Sequence, residues 1–142
     1  MDRNLYTLAD VELENRIQLK DHILLTLDKI IDWGSLEQVL QPVSAKYDNH
    51  NGRDSYGAAT MLRIFIVQRC YDLSDRGIEE QLQYNLLFIK FCKFSISSPV
   101  PDHSTICRWR GYFSEFDVYE RLFFSINAQL EKMGLQILAA QI

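Results

Sequence analysis

The sequence predicts an all-α fold: a compact domain of about six helices, part of it helix-turn-helix-like, ending in a short strand-like stub. Three observations carry this. Apolar residues recur at three- and four-residue spacing along most of the chain, Asp32, Ser74 and Asp102 stand where helix N-caps are needed, and only Leu135 to Ile142 reads as a strand. With 142 residues, 47% of them hydrophobic and 12% aromatic, there is enough apolar surface to bury a real core, which excludes a disordered chain.

The first twenty residues mix charges with isolated apolar positions and read as a mobile N-terminal arm, so the helical domain is expected over residues 21–133. A stripe of Ile23, Leu24, Leu27, Ile30 and Ile31 begins the first helix. Asp32 caps a second, short helix bearing Leu36, Val39 and Leu40, which Pro42 and the polar run from Ser44 to Arg53 are expected to close, leaving two short antiparallel helices. Asp48-Asn49-His50-Asn51-Gly52-Arg53 is a turn-rich exposed loop. Between Tyr56 and Tyr71 the apolar set Met61, Leu62, Ile64, Phe65, Ile66, Val67 and Cys70 is too broad for one buried stripe, and predicts a central helix covered on more than one side. Ser74 caps the next helix, with Asp75, Glu79 and Glu80 near its positive end and Ile78 and Leu82 inward. A short helix follows from Leu86 to Phe91. The last runs from Asp117 to Met133 on Val118, Leu122, Ile126, Leu130 and Met133, and stops at Gly134.

Between these lies the most informative segment, Pro99 to Phe113. Two prolines hold the approach extended, Asp102 can accept from the first free N–H groups, and Ile106, Trp109, Phe113 and Phe116 form one inward face. That leaves His103, Ser104, Thr105, Arg108, Arg110 and Tyr112, the donors and acceptors that meet phosphate oxygens and base edges when a helix lies in the major groove. The same pattern also suits an ordinary capped amphipathic helix with its arginines in water. Lys90 and Lys93 are either further phosphate contacts or solvated lysines beside the core residues Phe88, Phe91 and Phe94. Trp109, on the Ile106/Phe113 stripe, reads as a core anchor.

Charge alone argues against a protein that coats nucleic acid: the net charge is −4. It is unevenly spread, with six Lys/Arg against ten Asp/Glu in residues 1–54, seven against five in 55–113, and two against four in 114–142. Three cysteines without disulfide-framework spacing fit a reducing, cytoplasmic setting, and neither a signal peptide nor a membrane-spanning run is visible. No catalytic constellation emerges. His103 and Cys107 have the i, i+4 spacing of two metal ligands, and Cys92 is a conceivable third, but no second pair completes a tetrahedral site, so no metal or cofactor is expected. Asp102, His103 and Ser104 are sequence neighbours and cannot form a hydrolytic triad. Glu79 and Glu80 diverge around a helix, and Asp72 and Asp75 bracket a cap.

Three segments carry a family resemblance: Ile31-Asp32-Trp33; Gly52-Arg53 with Tyr56, Met61-Leu62, Gln68 to Asp75 and Glu80-Gln81-Leu82; and Pro99 to Thr105 with Arg108 and Arg110. Over about residues 20–142 the chain resembles the N-terminal region of bacterial insertion-sequence transposases of the fifth group, whose catalytic domain is RNase H-like with an Asp-Asp-Glu site. It departs from that pattern at Asp54, Ser55, Gly57 and Ala58, where the family usually carries prolines or Asp-Pro. Residues 134–142 look like the strand leading into the catalytic domain, and the sequence stops before the family's first metal-binding carboxylate. The resemblance therefore implies a DNA-binding and assembly domain that recognises double-stranded DNA at transposon terminal repeats without cleaving it, as a homo-oligomer, with neither a membrane nor a small-molecule substrate. Its DNA contacts would be His103, Ser104, Thr105, Arg108, Arg110, Lys90 and Lys93. The rival reading is a helical dimerisation or inhibitory module that does not touch DNA.

Overall fold

The computed structural model describes residues 7–11, 23–48 and 56–132, and within them the fold is all-α. Seven helices follow in order: α1 (Ile23–Ile30), α2 (Trp33–Tyr47), α3 (Ala58–Tyr71), α4 (Asp75–Tyr84), α5 (Leu86–Phe91), α6 (His103–Glu115) and α7 (Tyr119–Lys132). Residues 8–11 form one further helical turn. The expected strand at residues 134–142 and all of the expected loop but Asp48 lie outside the described residues, as do residues 12–22 and 54–55. No described helix is long and apolar enough to cross a membrane.

The capping residues set the boundaries. Asp32 accepts from the Ser35 N–H, Ser74 from Gly77, and Asp102 from Thr105, each occupying a donor that has no partner inside the first helical turn. Asn85 caps α5 in the same way, accepting from the Phe88 N–H at 3.1 Å. Three turns are made by residues in the left-handed region, Asp72 (φ 55°), Lys93 (φ 67°) and Asp117 (φ 55°). Aspartate tolerates this conformation through its short polar side chain; lysine has no such aid, so Lys93 holds a strained turn.

Pro42 does not end α2, contrary to the sequence expectation: the helix runs five residues further, to Tyr47. Pro42 and Gln38 are both exposed, so water can take the carbonyl that the proline ring leaves without a donor. Beyond it, Val43 is fully buried and Tyr47 packs against the core, and that burial carries the helix past the break. Nor do α1 and α2 form a simple antiparallel pair, since α2 lies chiefly on α3, α6 and α7 while α1 lies on α5.

α3 is the central helix. Ala58, Met61, Leu62, Ile64, Phe65, Ile66, Val67 and Gln68 are all buried, on every side of the cylinder, and α2, α4 and α6 cover it. Its one charged position in the middle, Arg63, is held on three sides: Nη1 donates to Asp28 Oδ1 at 2.8 Å and to the Phe91 carbonyl at 2.9 Å, and the guanidinium lies 3.8 Å from the Trp33 ring centroid. This one residue ties α1, α2 and α5 to the core.

Part of the expected N-terminal arm is described, and it is anchored. Asp10, only 4% exposed, accepts from the Ile96 N–H at 2.7 Å and the Ser95 hydroxyl at 2.8 Å, and from the Thr7 N–H at 2.8 Å. Burial alone penalises this carboxylate, but these three bonds, with a fourth from the Thr7 hydroxyl at 3.0 Å, outweigh it and hold its pKa below the ordinary value.

Candidate nucleic-acid interface

α6 is built to be held from behind. Pro101 is buried, Asp102 is extended (ψ 173°), and the helix then buries Ile106, Trp109 and Phe113. Phe113 meets Phe65 of α3 edge to face at 4.9 Å. Trp109 is 5% exposed, an anchor as its place on the stripe predicts, with Tyr47 and Tyr112 against its edges. Tyr112 lays its ring flat on that of Tyr47, with centroids 3.7 Å apart.

Polar contacts fix the same helix at both ends and in the middle. At its start, Glu79 Oε1 of α4 receives the His103 main-chain N–H at 2.9 Å and lies 2.8 Å from His103 Nδ1. The His103 ring accordingly holds the Glu79 carboxyl below its usual range. In the middle, Arg110 donates to both oxygens of Asp75, at 2.7 and 3.0 Å, and to Gln68 Oε1 at 2.8 Å, with its guanidinium 5.1 Å from the Phe65 ring. Gln68 Nε2 completes the junction by donating to Asp75 Oδ1 at 2.9 Å. Arg110 lowers the Asp75 pKa, and Asp75 raises that of Arg110. At its end, Glu115 accepts from Lys46 Nζ at 2.6 Å and from the Tyr47 hydroxyl, an exposed cluster with α2.

The outward face is different in kind. Ser104, Cys107, Arg108 and Gly111 are all exposed, at the spacing of one helical stripe. A Cβ added at Gly111 would meet nothing within 4 Å. Arg108 makes one long hydrogen bond, 3.4 Å to Thr105 Oγ1, and its guanidinium otherwise extends from the surface.

Of the residues expected to meet DNA, the structure brings Ser104, Thr105 and Arg108 together on or beside this stripe, with His103 at its leading edge. Arg110 is turned into the fold, where a bidentate pair with Asp75 and a bond to Gln68 tie α6 to α3 and α4. Lys93 lies 3.7 Å from Asp28 on α1, and half-buried Lys90 sits on α5, which packs against α1 and α4. Neither is placed with the α6 stripe. Sequence reasoning missed Gln68, Asp75 and Glu79 as the scaffold of this helix, because their partners are 42, 35 and 24 residues away. Among the described residues no three His, Cys, Asp or Glu side chains are placed to hold a metal ion. Cys92 is fully buried, which pushes its thiol pKa far up, and burial raises that of Cys70 to about 11; Cys107 is exposed.

No solved structure matches this chain. Residues 11–111 match the transposase domain family DUF772, a span that contains α1 to α5 and α6 as far as Gly111.

Proposed function

The chain belongs to the DUF772 transposase domain family, and from that premise we propose that it is a DNA-binding and assembly domain of a group-five insertion-sequence transposase, recognising element-end DNA without cutting it. The observation that carries the reading is the division of α6 into two faces. One is locked to α3 and α4 through Phe113, Arg110 and His103; the other presents Ser104, Cys107, Gly111 and a single extended cation, Arg108. Small side chains let the helix backbone approach a groove closely, and an arginine there can take a guanine edge or a phosphate. With α4 packed behind α6, the helices α4, α5 and α6 serve as a helix-turn-helix-like arrangement in which α6 is the reader. Ser104, Thr105 and Arg108 form the centre of the contact, His103 its edge, and Lys90 and Lys93 at most peripheral phosphate contacts.

The test is a salt series of binding to element-end and mixed-sequence duplexes. Arg108→Ala should weaken binding several-fold and make the logarithmic salt slope less negative by about 0.9, with the helical circular-dichroism signal retained. Unchanged affinity and slope overturn the assignment.

A second reading has its own observation. Phe124 on α7 is 77% exposed and Leu8 is 87% exposed, large apolar side chains that a second protein surface would cover. It favours a dimerisation or inhibitory module. A solution mass above that of one chain, together with no affinity for DNA at low salt, would put this reading in place of the first.

A further inference from the structure

We propose that the His103–Glu79 pair makes DNA binding proton-linked, the imidazole offering a phosphate contact only in its protonated form; this rests on the reading of α6 as the DNA-facing helix. A carboxylate can only accept, and Glu79 Oε1 lies 2.8 Å from His103 Nδ1, so the hydrogen of the neutral ring is held on Nδ1. Nε2 is then a lone-pair acceptor, which repels a phosphate oxygen. Protonation adds a hydrogen at Nε2 and turns that atom into a charged donor, while the Nδ1 bond to Glu79 stays in place. The ring is placed to use it: His103 opens the helix, its side chain is 36% exposed, and the exposed Ser104 follows it.

The charged groups around His103 reinforce the effect. From α4 it faces Glu79 directly and Asp75 through space, and from its own N-cap Asp102. Across α3 the near group is the neutral Gln68, bound to Arg110, which is itself paired with Asp75. The α2 groups Lys46 and Tyr47 meet Glu115 at the opposite end of the helix, about 18 Å away at 1.5 Å per residue, and α7 contributes Tyr119 beside Arg110. The leading edge of α6 is therefore rich in carboxylates, and the imidazolium is the group that offsets them when a phosphate approaches. By linkage, a phosphate that favours the protonated ring binds more tightly as pH falls through the histidine range.

The experiment measures binding of the full chain to a mixed-sequence DNA duplex across a salt series at about pH 5.5 and about pH 8, on either side of the ordinary histidine pKa of about 6.5. One added phosphate contact should make the wild-type slope more negative by about 0.9 at the lower pH, with a several-fold gain in affinity. His103→Gln should abolish the difference between the two pH values while keeping its circular-dichroism spectrum. Glu79→Gln, whose amide oxygen can still accept from Nδ1, should retain the difference between the two pH values. A His103→Gln protein whose slope still steepens on acidification overturns the proposal alone. Wild-type protein with no salt-dependent binding at either pH overturns the DNA reading itself, and the proposal with it.

Discussion

Arg108 and Arg110 stand two residues apart on α6 and serve opposite ends. Arg110 faces α3 and α4, where Asp75 and Gln68 take all its strong hydrogen bonds; Arg108 faces out and has only a long contact to Thr105. An α-helix turns about 100° per residue, so a separation of two puts side chains on nearly opposite faces. What differs is only what the rest of the fold brings to each face. The lesson is that an arginine-rich helix need not be an arginine-rich surface: one guanidinium here sets the orientation of the helix and the other is available to a partner.

This contrast can be broken from the inside first. Phe113→Ala should cost about 3–5 kcal/mol of unfolding free energy, measured by urea denaturation, because the ring is fully buried against Phe65 and its loss leaves a cavity behind α6. A smaller loss follows from Arg110→Ala, about 2 kcal/mol, since Asp75 is left half-satisfied in a partly exposed junction. That penalty is pH-dependent. The folded-state pKa of Asp75 is depressed by Arg110, so the stability it contributes is present above the unfolded carboxyl pKa of about 3.9 and is lost as pH falls through the lower folded value. The stability gap between wild type and Arg110→Ala should therefore narrow below about pH 4; a constant gap would mean that the ion pair is not its source. The smallest effect has the opposite sign. Gly111→Ala should stabilise the protein by about 0.5–1 kcal/mol, because Gly111 is helical and a methyl group there meets open space. If α6 approaches DNA along this stripe, the same variant should bind duplex no better despite its greater stability, which thermal melting and a binding titration on one preparation would separate.

Much of this organisation is legible in the residues. The caps at Asp32, Ser74 and Asp102 fall where local hydrogen-bonding chemistry puts them, and the all-round burial of α3 follows from a run of apolar residues too broad for a single stripe. Trp109 is core for the same reason that Ile106 and Phe113 are. These are local properties: a cap needs three residues and a stripe needs four. Pro42 shows where local reasoning fails, because a proline ends a helix only when nothing beyond it gains from continuing, and Val43 and Tyr47 do gain.

The sequence by itself determined that this is an all-α protein and which face of α6 is buried, since both follow from side-chain periodicity over a few turns. Its resemblance to a transposase region is likewise carried in short motifs, and the family match agrees at that level. Only the tertiary structure decided which charges are spent. Arg63 on Asp28, Arg110 on Asp75 and His103 on Glu79 pair groups 24 to 35 residues apart, at distances set by how α1, α3, α4 and α6 pack. A cation is a surface contact or an internal tie according to what lies within about 3 Å of it, and that is settled by chain segments its own neighbourhood does not contain.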